Sequence, residues 1–363
     1  MIGRHSVPLV HVMLGLAIAG RAVPVDTVAA SSSSPVLATV ELDGRRIDLP
    51  LPPGLTHGPE LTHAFRDQMQ STGGEVLAVF WPDSALTARR EGRLREVPFP
   101  TATVVAFRGD KARTPREGLA YVLFVERNRQ QVMQSSSMDS ALHVRVQRVL
   151  SEDPEGQADR PIPLDPDSRV CLDIISVRGR ATVELQMIGP NTAGASGQAP
   201  LATLRALTQV VLRDDVIGMF LIQRGRPTTR AVAELKHATV AWVEETLLAN
   251  GAVAARPRPA SDSDPSLPKF GEFVYAEELP EAVTRVSPEY PEDARILDIS
   301  GTVTITALVG RDGKVKETRV TTSIGLLDDA AEAAVRKWKF KPAVNKGAPV
   351  AVWVSVPVTF TLK

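Results

Sequence analysis

The chain has 363 residues and carries 42 Lys and Arg residues against 42 Asp and Glu residues, so its formal net charge is zero. This balance argues against nucleic acid as a main partner and against a polybasic membrane-surface protein, because both need a basic excess. The apolar share of 43% is sufficient for globular cores. A single cysteine, Cys171, excludes an intramolecular disulfide, and its apolar surroundings predict a buried, inert thiol.

Residues 1–30 have the pattern of a leader. Arg4 and His5 precede a largely apolar stretch that runs from Val7 to Gly20. This stretch is shorter than the about 20 residues that a membrane-spanning helix needs, and it has the length of a secretory signal core. Two interpretations follow, a cleaved signal peptide or a retained short membrane anchor, and both predict that the rest of the chain is exported.

Residues 36–250 alternate between strand-like and helix-like patterns, which predicts an α+β region of one or two domains. Asp43-Gly44 predicts a two-residue β-hairpin turn. Strands are predicted at Val76–Phe80, Thr101–Arg108, Val170–Val177, Ala181–Ile188 and Val216–Gln223. Helices are predicted at Glu60–Ser71, at Leu201–Leu212 and, most clearly, at Pro227–Asn250, whereas Asn191–Ala199 is predicted as a loop and residues 116–148 fit no single pattern.

No motif of catalysis or metal binding was found in this region. His57 and His63 are six residues apart, which does not fit the i, i+4 spacing of a helical zinc pair. We expect each histidine to lie at the surface or in a satisfied structural position. The chain contains no GxSxG elbow, P-loop or GxGxxG sequence. The sequence therefore predicts a protein that is not an enzyme and has no cofactor, no metal site and no catalytic residues.

Residues 252–269 have the composition of a linker. Four prolines stand there among Ala, Arg, Ser and Asp residues. We therefore predict the main domain boundary in this segment and a second domain over residues 276–363.

The second domain is predicted to contain a helix, two strands, a helix and a strand. The first helix opens at Tyr290-Pro291 and ends at Gly301. The remaining predicted elements are a strand at Thr302–Val309, a turn at Gly310–Gly313, a strand at Lys314–Thr322, a helix at Leu327–Trp338 and a strand at Ala348–Leu362. Three antiparallel strands with both helices on one face would bury the apolar stripes, so this domain is also predicted to be α+β.

The last predicted strand has the clearest alternation in the chain. Its core face contains Val350, Val352, Val354 and Val356, and its wetter face contains Ala351, Trp353, Ser355 and Pro357. Because proline has no N–H to donate to a neighbouring strand, Pro357 predicts that this strand lies at an edge of its sheet.

Four short motifs in this domain occur in a recognisable order. They are Tyr290-Pro291, Gly301-Thr302-Val303, Val309-Gly310-x-Asp312-Gly313-x-Val315 and Trp338-x-Phe340-x-Pro342-Ala343. In order and spacing, residues 280–363 resemble the C-terminal domain of the TonB energy-transducer family. We expect these motif residues to be mainly structural, forming a helix start, a turn and part of a core. Residues 36–250 resemble no family that we recognise.

The resemblance implies a function in binding rather than in catalysis. Domains similar to that of TonB bind a short extended receptor peptide by adding it as a strand to a sheet edge. The implied partner is a peptide of an outer-membrane transporter or of another envelope protein. The implied partner-binding residues are Val350, Ala351, Val352, Trp353, Val354, Ser355 and Val356. Ser287 stands where close relatives often carry Gln, which leaves the exact peptide contact open.

Several alternatives follow from the same pattern. A retained anchor would place the protein in the inner membrane facing the periplasm and would permit contact with a proton-driven motor. A cleaved leader would make it a periplasmic protein, for example a soluble adaptor. Residues 36–250 are alternatively a ligand-binding or enzymatic domain with the C-terminal module as a docking tag. An apolar edge strand also permits a homodimer.

Overall fold

The computed structural model describes residues 37–62, 65, 74–94, 97–108, 112–190, 201–255, 264 and 266–362. The predicted leader, the predicted loop at 191–199, half of the predicted linker and most of the predicted helix at 60–71 lie outside these residues. The chain divides into two compact units, one reaching residue 252 and one from residue 253 to the end, with the turn Arg178–Arg180 grouped with the second. Within the described part, no helix has the length and apolar character needed to cross a membrane.

The first unit is built on a seven-stranded antiparallel sheet with the order β3-β4-β5-β9-β8-β7-β6, next to a separate hairpin of β1 and β2. The strands are β1 (Leu37–Leu42), β2 (Arg45–Pro50), β3 (Thr56–His57), β4 (Gly74–Trp81), β5 (Thr101–Phe107), β6 (Arg169–Val177), β7 (Ala181–Ile188), β8 (Ala202–Val211) and β9 (Val216–Gly225). The hairpin predicted at Asp43-Gly44 is confirmed, and both residues have the positive φ that such a tight turn requires.

Five helices complete the first unit within the described residues. They are α1 (Asp83–Arg90), α2 (Pro115–Arg127), α3 (Arg129–Ser135), α4 (Ser140–Glu152) and α5 (Thr229–Ala249). Helix α2 begins with a capping box, in which Thr114 and Glu117 each satisfy a backbone N–H of the other. The stretch at 116–148, which fitted no single pattern, thus contains α2, α3 and most of α4. The prediction of a long helix before Asn250 is confirmed by α5.

The helix predicted at Leu201–Leu212 is wrong, because these residues form strand β8. Strand β8 pairs with β7 on one side and with β9 on the other. It has a buried residue at most positions on both faces, so the alternation that identifies a half-exposed strand is missing. Its Leu and Ala residues favour a helix in isolation, and the pairing with two neighbouring strands overrides that preference.

The sheet of the first unit is covered on both faces. On one face, Val79 and Trp81 pack with Leu61 and Leu86. On the opposite face, Trp242 of α5 packs edge-on against Phe80 with ring centroids 5.8 Å apart.

The prediction that Cys171 is buried is confirmed. The side chain is fully buried and packs with Val125, Met133 and Ile174. This burial raises the pKa of the Cys171 thiol well above its usual range, which keeps the thiol protonated.

The second unit confirms the predicted α+β fold with a three-stranded antiparallel sheet, in the order β12-β11-β16. Its elements are β10 (Glu281–Thr284), α6 (Glu292–Ile296), β11 (Gly301–Val309), β12 (Val315–Thr322), a 3-10 turn (Gly325–Leu327), α7 (Asp328–Val335), β13 (Lys339–Lys341), β14 (Ala343–Asn345), β15 (Ala348–Val350) and β16 (Val352–Phe360). Helix α7 packs on β11 and β12, and Val303, Ile305 and Ala307 of β11 are fully buried.

Both helices of this unit are shorter than predicted. Helix α6 ends at Ile296, and Gly301 is the first residue of β11 rather than the end of the helix. Helix α7 ends at Val335, so Trp338 lies beyond it.

The single long strand predicted at Ala348–Leu362 is interrupted at Ala351. Strand β15 before this residue pairs with β14 through a tight turn, whereas β16 after it pairs with β11. The predictions that Ala351 faces the wetter side and that Val350 shares the edge strand are therefore wrong. Ala351 is 5% exposed, because the chain changes from one pairing partner to another at this point and turns the side chain inward.

Candidate functional site

The three-stranded sheet has two edge strands, and they differ in regularity. Strand β16 pairs with β11 from Val352 to Phe360 without a register shift. Strand β12 pairs with β11 through register shifts near both of its ends, and it carries Lys316, Glu317 and Arg319. Bulges and charged side chains hinder the addition of a further strand. Strand β16 is therefore the edge better suited to pair with another chain.

Five of the seven predicted partner-binding residues lie together on β16. Val352 and Val356 are buried on the core side, Trp353 and Val354 are half-buried, and Ser355 is exposed. The other two, Val350 and Ala351, lie before β16 and outside its pairing with β11. The edge strand that pairs with β11 is thus limited to Val352–Phe360.

The exposed face of the sheet next to β16 is lined by hydroxyl groups. The Oγ1 atoms of Thr302 and Thr359 lie 2.9 Å apart, and those of Thr306 and Thr321 lie 3.3 Å apart. These cross-strand pairs leave a polar surface beside the edge strand, where a side chain of an added peptide would find donors and acceptors.

One end of this face is covered by residues 266–272. The indole Nε1 of Trp353 donates to the carbonyl oxygens of Pro268 and Lys269 at 3.0 and 3.1 Å. The Phe270 ring packs edge-on against Trp353 with centroids 5.2 Å apart, and the Arg319 guanidinium lies 4.8 Å from the centre of the Phe270 ring. This cover was not predicted, because residues 252–269 have the composition of a linker, although the aromatic residue at 270 was a usable sign of packing.

Three of the family-motif residues meet at the turn between β11 and β12. The Phe340 N–H donates to the carbonyl of Gly313 at 2.8 Å. Gly313 has φ +72°, and a Cβ there would lie 2.0 Å from the Phe340 carbonyl oxygen and 3.7 Å from Pro342. Only glycine fits this close approach. The adjacent Trp338 donates its indole N–H to the Val286 carbonyl at 2.9 Å.

The Tyr290-Pro291 motif lies at the other end of β16. The Tyr290 hydroxyl donates to the carbonyl of Ile299, and the ring packs edge-on against Phe360 with centroids 5.5 Å apart. Pro291 is the N-cap residue of α6. Gly301 begins β11 at φ +144°, and a Cβ there would lie 2.6 Å from Ile324. These residues hold β16 and the start of β11 in place.

The turn between β11 and β12 also carries an ion pair. The Asp312 carboxylate accepts from the Lys316 ammonium at 2.8 Å and from the backbone N–H of Lys314 at 3.1 Å. The hydrogen bond from Lys316 and the backbone bond lower the pKa of Asp312. Asp312 therefore stays ionised near neutral pH and fixes the turn.

The second unit is thus a small α+β domain, in which helices pack with a three-stranded antiparallel sheet and β16 lies at an edge of that sheet. Residues 286–362 match the family model described as Gram-negative bacterial TonB protein C-terminal. This part of the chain is a TonB-family C-terminal domain.

Two curated relatives are similar to the same part of the chain. "Protein TonB" of Vibrio cholerae serotype O1 is 35% identical over 81 residues, which is 22% of this chain and 33% of the relative. "Protein tonB2" of Pseudomonas aeruginosa is 40% identical over 78 residues, which is 21% of this chain and 29% of the relative. The chain thus spans about a third of the length of these relatives, and the similarity concerns the C-terminal domain.

Proposed function

We propose that the C-terminal domain binds an extended peptide of an outer-membrane transporter by adding it as a strand to β16. The observation that carries this proposal is the regular edge strand at Val352–Phe360, which lacks a backbone N–H only at Pro357, beside a second edge that is bulged and charged. In this binding mode, main-chain hydrogen bonds supply affinity and the alternate side chains supply specificity. The similarity to proteins named TonB supports a transporter as the partner.

Within this mode, the side chains of β16 have different roles. Trp353 is engaged with residues 266–272 of its own chain, so it supports the edge strand from one face. Ser355 is exposed on the same face as Trp353, beside the threonine hydroxyls. We therefore assign peptide selectivity to Ser355 and its neighbours, and a supporting role to Trp353.

The proposed function is non-enzymatic. The protein would support energy-coupled transport in the periplasm if a retained leader connects it to an inner-membrane motor, and it would act as a soluble adaptor if the leader is removed. Sequencing the N-terminus of the protein recovered from membrane and soluble fractions separates these cases. An intact Met1 in the inner-membrane fraction supports the energy transducer, and a new N-terminus near Gly20 or Ser31 in the soluble fraction supports the adaptor.

Disulfide cross-linking tests which edge receives the peptide. The variants Ser355→Cys on β16 and Thr321→Cys on β12 form a matched pair, because both residues are exposed on the same face of the sheet. The native Cys171 is buried and leaves the background low. A synthetic peptide from the periplasmic N-terminus of a transporter of the same bacterium, with one cysteine, is expected to cross-link to the Ser355→Cys variant.

The outcomes of this experiment are distinct. Preferential cross-linking to the Thr321→Cys variant, or equal cross-linking to both, contradicts binding at β16. Cross-links between two copies of the Ser355→Cys variant without peptide would identify a homodimer through the same edge.

In cells, deletion of residues 280–363 is expected to abolish transporter-dependent uptake, and unchanged uptake would refute the transport role.

A further inference from the structure

The open face of the three-stranded sheet carries a segment with a turn of its own. Residues 266–272, which we call the strap, end in a turn in which the Glu272 N–H donates to the Lys269 carbonyl at 3.0 Å. The Lys269 N–H donates in return to the Glu272 carboxylate at 2.9 Å. Gly271, the third residue of this turn, has φ +85°, which is the conformation that a type II turn requires there. The strap therefore keeps its turn through its own hydrogen bonds.

The strap lies over the end of the sheet at Trp353. The Trp353 indole donates to the carbonyl oxygens of Pro268 and Lys269, and the Phe270 ring packs on this indole. Leu308 of β11 stands opposite Trp353 and is fully buried, although the residues on either side of it point to the core. Because neighbouring side chains of a strand point to opposite faces, Leu308 points to the open face and is buried there. This end of the open face is therefore covered.

The strap buries little of its own apolar surface. Phe270 remains 45% exposed and Leu267 is half-buried, whereas Pro268 is buried. Segments with little buried apolar surface open locally at a low cost in free energy. The strap can therefore leave the sheet while the rest of the second unit stays folded.

The strap and an added strand need the same space at Trp353. A strand that pairs with β16 would place a side chain beside Trp353 on the same face, with the two Cβ atoms about 5 Å apart. The carbonyl oxygens of Pro268 and Lys269 lie 3.0 and 3.1 Å from the indole Nε1, so the strap occupies the surroundings of the indole. Further along the same face, Ser355 is exposed. Strand β16 therefore has a covered end at Trp353 and an open end that begins at Ser355.

We propose that the strap is an autoinhibitory element that competes with the partner peptide for the Trp353 end of β16. This inference rests on the proposed function, because the competitor is the peptide that adds to β16. The peptide pairs first with the open end, and it extends to Trp353 only when the strap has left the face. Because such coupling is reciprocal, the bound peptide also opens the strap.

Hydrogen exchange of the full chain follows the strap and the edge strand in one measurement. The probe is a cysteine-free synthetic peptide from the periplasmic N-terminus of a transporter of the same bacterium. At saturating peptide, mass spectrometry is expected to show slower exchange at Val352–Phe360, which reports the added strand. Exchange at residues 266–272 is expected to become about threefold faster, which reports the opening of the strap.

The two segments separate the failure of each proposal. Slower exchange at Val352–Phe360 with unchanged or slower exchange at residues 266–272 would overturn the strap proposal and leave the proposed function standing. Unchanged exchange at Val352–Phe360 would contradict strand addition at β16, and the strap proposal would fall with it.

A substitution in the strap tests the competition without changing β16. Phe270→Ala removes the contact with the indole and raises the fraction of molecules with an open strap. Because this fraction sets the apparent affinity, we expect the peptide to bind about fivefold more tightly, as measured by fluorescence anisotropy of labelled peptide. Phe273→Ala is the matched control, since Phe273 is 86% exposed and lies outside the strap, and it is expected to leave the affinity unchanged. Weaker binding in Phe270→Ala would show that the strap contributes to the peptide site, and it would overturn the proposal.

A second variant opens the strap without removing a side chain. A Cβ at Gly271 would meet no described atom within 4 Å, so Gly271→Ala acts only through the strain of a positive φ. We expect about threefold tighter peptide binding. Gly347→Ala, in the turn between β14 and β15, has the same properties and is the matched control, for which no change in affinity is expected. Wild-type affinity in both Phe270→Ala and Gly271→Ala would overturn the proposal.

Discussion

The two largest sheets in the described part of the chain, one in each unit, differ in what covers them. In the first unit, helices pack on both faces, with Leu61 and Leu86 against Trp81 on one side and Trp242 against Phe80 on the other. In the second unit, α7 packs on β11 and β12 through one face, whereas the opposite face presents threonine hydroxyls and is covered only at the end near Trp353. A sheet covered on both faces leaves no face free for a ligand, whereas a half-covered sheet offers a face as well as an edge.

Two tryptophans, one in each unit, illustrate this difference in how the sheets are covered. Trp242 and Trp353 each donate the indole N–H to a backbone carbonyl and each pack edge-on against a phenylalanine. Trp242 is 1% exposed, whereas Trp353 is half-buried. The same local chemistry therefore has different consequences in the two units, and substitutions measure the difference.

The largest expected effect is that of Trp242→Ala. This change leaves a cavity between α5 and the sheet and removes the 2.8 Å hydrogen bond to the Pro50 carbonyl. We expect the free energy of unfolding of the first unit to fall by about 3–5 kcal/mol. Urea denaturation followed by circular dichroism, together with amide exchange in β4 and α5, measures it. A loss below about 1 kcal/mol would contradict a tightly packed face.

The next largest effect is expected for Gly313→Ala in the second unit. The added Cβ would lie 2.0 Å from the Phe340 carbonyl oxygen, at a positive φ that alanine disfavours. We expect a destabilisation of about 3 kcal/mol, seen as faster amide exchange in β11, β12 and β13. The matched control is Gly347→Ala, with φ +73° and no atom within 4 Å, for which about 1 kcal/mol is expected. Equal effects would show that the close approach to Phe340 is unimportant.

A smaller effect is expected for Trp353→Ala. The change removes the hydrogen bonds to Pro268 and Lys269 and the contact with Phe270. Because the indole is only half-buried, we expect a loss of about 1–2 kcal/mol and faster tryptic cleavage after Lys269. Trp353→Phe, which keeps an aromatic ring, is the control and should cleave at an intermediate rate. Unchanged cleavage in Trp353→Ala would mean that Trp353 does not hold residues 266–272.

The smallest effect is expected for Asp312→Asn, and it depends on pH. The pKa of Asp312 is lowered in the folded protein, first of all by the hydrogen bond from Lys316. The carboxylate thus stabilises the fold above its unfolded pKa of about 3.9, and this contribution is lost as the pH falls through the folded pKa. Because both side chains are more than a third exposed, we expect at most about 0.5 kcal/mol.

Urea midpoints of the wild type and of Asp312→Asn at pH 7 and pH 2 check this expectation. Asparagine can still accept the bond from the Lys314 N–H, so the comparison isolates the charge. The difference between the two proteins should be present at pH 7 and absent at pH 2. A difference that is the same at both pH values would show that the charge of Asp312 is not its cause.

Patterns of apolar and polar residues were sufficient to predict the elements that have one buried side and one exposed side. The sequence predicted the strand at Thr302–Val309, the turn at Gly310–Gly313 and the helix α5. These predictions were possible because one side of each element is buried and the other is not. The short motifs around Tyr290, Gly313 and Trp338 were enough to indicate the family of the C-terminal domain, which the comparisons bear out. Pro357 indicated an edge strand for a local chemical reason, the missing N–H.

Features that depend on which strand pairs with which could not be predicted without the three-dimensional fold. The residues of strand β8 predicted a helix instead. Because β8 has neighbouring strands on both sides and buried residues on both faces, its sequence lacks the alternation of apolar and polar residues that marks a half-exposed strand. The prediction that Ala351 belongs to the edge strand was wrong for a similar reason. The chain pairs with β14 before Ala351 and with β11 after it, but the valines alternate in the same way on both sides of this residue. The cover over Trp353 results from contacts between segments far apart in the chain, and such contacts are set by the packing of the whole unit rather than by local sequence.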